Sequence, residues 1–410
     1  MNKKVLVASF LGTLIEVYDF TVFPFFIPIL SEIFFSSYQR TNAINFTILA
    51  YVVSYIVKPF GSIVFGAWTD RWGRKKVLLF TTVLMTLATA AIGMLSPYLM
   101  GMYYGAGLIV CRVVQGLAIS GEFSTAIILA VEEGKNSVLP GCIAFIGGSI
   151  GLLLASLSAL FILYGMPHDL IIYFGWRIPF LIGVGGCIVL LCIRNSLEFN
   201  LIKSNNESNG YRNLFKRYKK ELWIVFIVSS LSASAFYITF VFLPTLLSSL
   251  WQIHTHQHAI LVTSCALILY VLFLPVGGVL ADRIGVKKQI QIAALCYLFF
   301  SYGVFAVMPQ LNYLQCTITL ACFAIIQALL NSALPAYIVR IFDINQRGKA
   351  LAISYNLSLA LFGGMLPYLI ATFNNHLNPG IPISICAALC LLTINFKDAK
   401  NGCLRSELAY

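Results

Sequence analysis

Charge is scarce in this sequence. Only 10% of the 410 residues are Asp, Glu, Lys or Arg, while 59% are hydrophobic and the mean hydropathy is +0.87. A soluble domain carries about a quarter charged residues, so an ordinary water-soluble fold is excluded. Long hydrophilic stretches are nearly missing too: the polar segment from Arg194 to Glu221 stands alone. There is no CxxC motif, and ten of the eleven cysteines lie inside apolar runs, where Cys packs as a small apolar residue; only Cys403 falls outside. All five histidines (His168, His254, His256, His258 and His376) fall in predicted loops. Proton chemistry through a buried imidazole is therefore not expected. His254-x-His256-x-His258 is the one metal-like cluster, but no acid or Cys completes a ligand set, so no metal is expected.

What the chain has in abundance is apolar length. A helix needs about 20 apolar residues to cross the hydrocarbon core, and twelve such runs occur: 5–30, 43–67, 77–96, 103–131, 140–163, 174–194, 222–249, 259–280, 289–308, 314–341, 349–372 and 380–396. Barrel strands would instead alternate over about ten residues. Lipid leaves each helix to satisfy its own backbone. The expectation is an all-α polytopic membrane protein of twelve transmembrane helices. Met1-Asn-Lys-Lys before an apolar run imitates a signal peptide, but the run is long, carries Glu16 and Asp19 and has no small-residue cleavage site. It reads as the first span.

The net charge of +12 poses the question of nucleic acid, and its distribution answers it. Twenty-three of the 27 Lys and Arg fall at the amino terminus, in alternate loops or in the final tail. By the positive-inside rule both termini are cytoplasmic. The basic residues set orientation in the bilayer, and no nucleic-acid partner is expected. Domain boundaries follow: a six-helix bundle over 1–194, a cytoplasmic linker over 195–221, a second bundle over 222–396 and a tail over 397–410.

A repeat supports that division. Gly66-x-x-x-Asp70-Arg71-x-Gly73-Arg74-Lys75-Lys76 recurs 212 residues later as Gly278-x-x-x-Asp282-Arg283-x-Gly285-Val286-Lys287-Lys288, and at the same offset Gln115 matches Gln327. Two matches at one offset indicate a duplicated six-helix unit. In each copy Gly permits a tight turn, the Asp can accept hydrogen bonds from a neighbouring helix start, and the bases stay at the anionic interface. Gly66, Asp70, Arg71, Gly73, Arg74, Asp282 and Arg283 are accordingly candidate gating residues.

The loop resembles the signature of the major facilitator superfamily, and Arg112-x-x-Gln115-Gly116 resembles its fourth-helix motif. Glu16-Val-Tyr-Asp19-Phe20, Lys58-Pro-Phe-Gly61, Gln115-Gly-Leu-Ala-Ile-Ser-Gly121-Glu122-Phe123 and Gly175-Trp-Arg-Ile-Pro-Phe180 are similar to the metabolite:proton symporter branch, which includes proline/betaine, α-ketoglutarate, citrate and shikimate permeases. The resemblance implies two pseudo-symmetric six-helix bundles, alternating access and proton-driven uptake of a small polar metabolite across a bacterial inner membrane. Departures are Val17 for the usual aromatic, Lys58 for Arg, Val286 for a base, and Lys135 to Gly141 in place of the usual Arg-Gly, which Arg347-Gly348 keeps. The tail after Phe396 has 14 residues, not the long coiled coil of osmosensing carriers.

The residues themselves point to the same chemistry. A charge at bilayer depth costs from about 2.5 to more than 10 kcal/mol, so its default reading is a solute or proton pathway. Glu16 and Asp19, three apart, share a helix face, and Arg112 reaches a similar depth from another span. An acid facing Arg112 across a cavity makes a coupling pair, since protonating the acid frees the arginine for an anionic solute; Asp19 is the first candidate acid. A static ion pair between the first and fourth helices is the alternative. Gln115 and Glu122 share the broad face of Arg112, with Glu122 about 15 Å further toward the cytoplasm as a proton relay or inner latch. Lys58 is a candidate substrate cation or a snorkelling residue.

At the same offset Arg112 becomes Ala324 and Glu122 becomes Leu334. The second half thus offers only neutral candidates: Tyr237, Gln327, Asn331, Tyr355 and Asn356. The function expected is symport of a carboxylate, amino acid or betaine by alternating access, with the proton as coupling ion, no cofactor, and the lipid bilayer as its surroundings. The chain is expected to act as a monomer and not as an enzyme. Alternatives are a proton-coupled exporter, a membrane enzyme, for which no interfacial catalytic constellation is present, and a transporter-like receptor.

Overall fold

Apolar runs that cannot find water for their backbone groups close those groups internally as helices, and twelve do so here. The computed structural model describes residues 3–96, 103–134, 137–196, 211–344, 346–373 and 377–398, and no strand occurs among them. The spans are α1 (Leu6–Phe25), α2 (Arg40–Thr69), α3 (Lys75–Met94), α4 (Tyr104–Gly134), α5 (Leu139–Gly165), α6 (His168–Asn195), α7 (Leu214–Leu250), α8 (His256–Ile284), α9 (Val286–Gln310), α10 (Tyr313–Arg340), α11 (Arg347–Thr372) and the shorter α12 (Gly380–Ile394). The largest departure from expectation is α7, which starts well before residue 222. Its polar preamble is helical as well, with a kink at Tyr218 (φ −114°, ψ 23°). The first run is divided at Phe26, between Pro24 and Pro28, and a second short helix continues over Ile27–Phe34; proline removes a helical hydrogen bond and bends the chain there.

The two bundles are related by their pairings. In the first, α1 packs on α5, α2 on α4 and α3 on α6; in the second, α7 packs on α11, α8 on α10 and α9 on α12. Adding six to each number converts one set into the other. Between bundles α2 meets α11 and α5 meets α8, again a symmetric pair. Burial follows: 83% of the central window of α7 is covered, against 33% for α6 and α9. The peripheral helices therefore turn most of their apolar surface outward, away from the protein.

Repeated glycines make the repeated turns. Gly73 (φ 86°) joins α2 to α3 and Gly285 (φ 92°) joins α8 to α9, and they are the two glycines with positive φ among the described residues. Only glycine adopts this conformation without strain. Between α1 and α5 glycine serves contact instead. A Cβ at Gly151 would lie 2.2 Å from the carbonyl oxygen of Leu14, and one at Gly147 would lie 2.5 Å from that of Phe10.

The Gly-Trp-Arg-Ile-Pro-Phe motif also has a packing role. Trp176 is fully buried, and Arg177 donates through Nε to Gly93 O (3.0 Å) and through Nη2 to Leu95 O (3.0 Å). It thereby satisfies carbonyls at the end of α3 that the helix leaves open. Four stretches widen into π turns: Ile171–Gly175, Tyr237–Phe242, Leu246–Leu250 and Leu359–Met365. Those of α7 and α11 touch each other across the second bundle, and such widened turns frequently accompany functional sites.

Gly151→Val forces α1 away from α5. The expected cost is about 1–3 kcal/mol, as for other overpacked sites, and it is read as a lowered melting temperature of the detergent-purified protein.

Candidate charged site in the first bundle

Six charged side chains are buried among the described residues: Glu16, Asp19, Lys58, Arg112, Glu122 and Arg194. All belong to the first bundle. They separate into a central group of Asp19, Lys58 and Arg112 and a second group of Glu16, Glu122 and Arg194.

Aromatic rings solvate the central cations. The Arg112 guanidinium lies 4.4 Å from the centre of the Phe23 ring and 4.6 Å from that of Phe20. Lys58 Nζ lies 4.3 Å from the same Phe20 ring and 4.0 Å from that of Tyr55. Desolvated cation–π contacts of this kind are worth about 2 kcal/mol. Lys58 is therefore buried over rings, not snorkelling, and no carboxylate forms an ion pair with it among the described residues. Arg112 donates through Nη1 to Gln115 Oε1 (2.8 Å) and Phe20 O (3.4 Å), and through Nη2 to Ser54 Oγ (3.0 Å). Its Nε has no acceptor.

The expected direct facing of Asp19 and Arg112 is replaced by a longer link. Asp19 Oδ2 accepts from Thr89 Oγ1 (2.6 Å), Thr89 Oγ1 accepts from Gln115 Nε2 (2.7 Å), and Gln115 Oε1 accepts from Arg112. Two side chains thus stand between acid and base, because α3 inserts Thr89 where the sequence left only α1 and α4 in view. Cys187 Sγ approaches Oδ2 at 3.9 Å. The other oxygen, Oδ1, is buried without a donor. It faces Gly183 of α6, where a Cβ would lie only 2.6 Å away, so glycine makes the room for this carboxylate.

Glu16 does not join Asp19 in the centre, although the two share a helix face. It accepts from Arg194 Nη2 (2.5 Å), and Arg194 also grips Glu122 with both nitrogens, Nη1 to Oε1 and Nη2 to Oε2, each 2.8 Å. Thr81 donates to Glu122 Oε1 at 2.7 Å, and Thr82 lies against Arg194 Nη1. Arg194, counted among the basic loop residues by its position at the end of an apolar run, is instead a buried clamp on two acids. Glu122 departs from the helix of Arg112 because α4 breaks at Ser120–Gly121 and restarts with Glu122 in its first turn, where the helix dipole favours a carboxylate. A crevice too narrow for a water molecule, lined by Glu16, Thr81, Thr82, Glu122 and Cys187, adjoins this cluster.

The neutral candidates of the second bundle mostly bond one another. Gln327 accepts from Tyr297 and donates to Ser232 O (3.3 Å), while Asn331 accepts from Ser232 Oγ (2.6 Å) and donates to Tyr270 (2.8 Å). Tyr355 stacks on Phe123 of the first bundle with centres 6.3 Å apart. Tyr237 alone meets the central group, its ring set edge-on to Tyr55 at 5.3 Å. Asn356 donates to Ser120 O (3.1 Å) across the bundle interface.

Both ends of that interface are bonded. On the face with the repeated basic loops, Asp282 accepts from Val138 N (2.7 Å) and Ser137 Oγ (2.8 Å) at the start of α5, and Arg347 pairs with Glu132 at 2.9 Å. Arg283 is exposed, Gly66 lies beneath Tyr211, and the side chains of Asp70, Arg71 and Arg74 lie outside the described residues. At the opposite face His256 Nε2 donates to Phe25 O (2.7 Å) and its Nδ1 meets Ser248 Oγ (2.9 Å), while Gln257 donates to Leu163 O (3.2 Å). His256 therefore is not a loop residue: it opens α8 and bridges the bundles. The three neighbouring imidazoles diverge, with His258 against Tyr313 and His254 against Cys316. Burial and the adjacent His258 hold His254 below the usual imidazole value.

Thr89 was not singled out in the sequence, Arg194 was read as a loop base, and His256 was read as a loop histidine of a metal-like cluster and not as a bridge between bundles. For Thr89 a signal existed: Thr82, Thr86 and Thr89, spaced four and three apart, line one face of α3.

Residues 9–254 and 225–397 match the Major Facilitator Superfamily. A putative proline/betaine transporter of Staphylococcus aureus (strain COL) is 26% identical over 411 residues, covering 96% of this chain and 88% of its own. The proline/betaine transporter of Escherichia coli (strain K12) is 25% identical over 435 residues, covering 98% and 85%. Among solved structures, a proton:xylose symporter bound to 6-bromo-6-deoxy-D-glucose superposes with a TM-score of 0.78 at 14% identity, covering 97% of this chain and 95% of its own. The inward open xylose transporter of E. coli gives 0.67 at 16% identity, covering 96% and 94%. At such identities the likeness shows the fold.

Arg194→Gln leaves two buried carboxylates unpaired. Breaking a buried pair costs about 3–5 kcal/mol, so thermal unfolding shifts sharply downward in this variant, and adding Glu16→Gln and Glu122→Gln restores much of the loss.

Proposed function

The chain belongs to the major facilitator superfamily, a family of membrane transporters and not of enzymes, and we propose that it is a proton-coupled symporter of a small carboxylate-bearing solute. One observation carries this reading: two buried cations, Lys58 and Arg112, share the Phe20 ring, and a single carboxylate, Asp19, accompanies them in the central group. The group is one positive charge in excess, and Arg112 Nε lacks an acceptor. A solute carboxylate supplies both the missing charge and the missing acceptor.

Proline and betaine, the solutes in the names of the relatives, each bear a carboxylate. Phe20, Tyr55 and Tyr237 offer ring faces and edges beside the cations for the remainder of such a molecule. Asp19 is the coupling acid in this reading. Its proton neutralises the central carboxylate and leaves Arg112 and Lys58 to the solute, so solute and proton bind together. Glu16 and Glu122, held by Arg194, form a second acidic station along the same bundle. The bonds at both ends of the bundle interface support alternating access, in which one set opens while the other stays closed.

The basic loops support cytoplasmic termini in a bacterial inner membrane. One chain holds the whole charged site, which supports action as a monomer, with the proton as the coupling ion and no other cofactor.

The test is uptake of labelled proline, betaine, α-ketoglutarate, citrate and shikimate into proteoliposomes under an inward proton gradient. One of these accumulates in the wild type and the accumulation collapses with the gradient. Asp19→Asn abolishes its dependence on the gradient. Arg112→Ala and Lys58→Ala each weaken apparent affinity tenfold or more, since hydrogen bonds to charged groups are worth about 1.5–3 kcal/mol. If nothing accumulates and preloaded solute leaves faster under the same gradient, an exporter replaces the symporter.

A further inference from the structure

We propose that Thr89 and Gln115 are positioning residues that transmit the protonation of Asp19 to Arg112 through their hydrogen-bond chain. The proposal rests on the symport reading and deepens it by naming what connects the two charges. Its geometric basis is the unbroken run from Arg112 Nη1 to Gln115 Oε1 (2.8 Å), Gln115 Nε2 to Thr89 Oγ1 (2.7 Å) and Thr89 Oγ1 to Asp19 Oδ2 (2.6 Å). All four side chains are fully buried, so water does not compete for these bonds.

The chain has one direction, and its ends impose it. A guanidinium only donates and an ionised carboxylate only accepts. Gln115 must therefore present its oxygen to Arg112 and its amide nitrogen to Thr89, and the threonine hydroxyl must give its single proton to Asp19. Each member is polarised the same way, and bonds so aligned strengthen one another.

Two unpartnered atoms mark where the chain is loaded. Asp19 Oδ1 is a buried acceptor with no donor, and Arg112 Nε is a buried donor with no acceptor. Buried orphans of this kind call for an explanation, and here they stand at the two ends of a single chain. A proton added at Oδ1 turns the bond from Thr89 from a charge-assisted into a neutral one, roughly half as strong. The polarisation carried through Thr89 and Gln115 falls with it, and Gln115 becomes a weaker acceptor for Arg112. The guanidinium then has an orphan Nε and a loosened Nη1, both ready for the carboxylate of a solute. Read in the other direction, a solute carboxylate on Arg112 weakens the hold on an ionised Asp19 and favours its protonated form.

The surroundings leave few other groups to carry the effect. Cys187 from α6 lies 3.9 Å from Oδ2, α4 contributes Arg112 through the chain, and Tyr18 is the neighbour in α1. Lys58 of α2 lies over the Phe20 and Tyr55 rings and forms no ion pair with Asp19. The titratable side chains of α5 are Cys142 and Tyr164, at its two ends. The inserted Thr89 hydroxyl is the one donor from α3 to the carboxylate.

Infrared difference spectroscopy of the protein in lipid nanodiscs, stepped between about pH 9 and pH 4 to span ordinary and raised carboxyl values, tests this without any solute. The Asp19 carboxyl band is assigned by its loss in Asp19→Asn, the Gln115 amide band by its loss in Gln115→Leu, and the Arg112 guanidinium band by its loss in Arg112→Lys. In the wild type and in Thr89→Ser the three bands change together. In Thr89→Val the Asp19 band persists while the Gln115 and Arg112 changes are lost; Thr89→Ala, which gives the same result, serves if the valine variant does not fold. Gln115 and Arg112 bands that still follow Asp19 in the variants without a hydroxyl overturn the relay and leave the symport reading intact. An Asp19 band absent from the wild type over the whole range overturns the assignment of Asp19 as coupling acid, and the relay with it.

Discussion

Burying charge at bilayer depth constrains this molecule more than any other requirement. Lipid offers no water to solvate an ion, so each buried ion must find an opposite charge, a ring or a set of dipoles. Six such side chains lie in the first bundle, three of each sign. They cancel in sum but not in place: Lys58 and Arg112 outnumber Asp19 in the centre, whereas Glu16 and Glu122 outnumber Arg194 in the neighbouring cluster. In the proposed symport the excess of cations at the centre draws the solute carboxylate, and the excess of carboxylates in the second cluster takes up protons. A uniformly paired arrangement would be stable and inert.

The rest of the bundle is arranged around these charges. Phe20 sits between two cations and Gly183 makes way for a carboxylate oxygen. The break in α4 at Ser120–Gly121 turns Glu122 toward Arg194. Close packing of α1 on α5 through Gly147 and Gly151 fixes the helix that carries Glu16, Asp19 and Phe20. Among the described residues the second bundle has no buried charge, and its polar side chains bond one another around Gln327 and Asn331. The duplication preserved helix pairings and turns while the chemistry of the two copies diverged.

Polar bonds cross the bundle interface at both ends and between them, where Ser62 donates to Ala352 O (2.8 Å) and Asn356 to Ser120 O (3.1 Å). Asp282 at the start of α5 and Arg347 on Glu132 close one face; His256 on Phe25 and Gln257 on Leu163 close the other. In the proposed alternating access these are the contacts exchanged between one closure and the other. The widened turns of α7 and α11 lie between these closures and face the central group through Tyr237.

Much of this was legible in the sequence. Span number, the duplicated loop and the presence of charge at depth are local properties, set by runs of about 20 residues or by an exact short repeat, and the glycines of the repeat reappear as positive-φ turns at Gly73 and Gly285. Lys58 was left between the site and the interface, whereas the identities of Asp19, Glu16, Arg112 and Glu122 as charges within apolar spans were readable because apolar neighbours surround each of them. Their partners were not. Arg194 meets Glu16 across 178 residues, Thr89 meets Asp19 across 70, and His256 meets Phe25 across 231. A single helix pattern tells which face is apolar, but not which residue of another helix will stand opposite. Only the packing of α1, α3, α4 and α6 decided that Thr89 and Gln115 lie between acid and arginine, that Arg194 joins two glutamates, and that Lys58 and Arg112 share the central group with Asp19 alone.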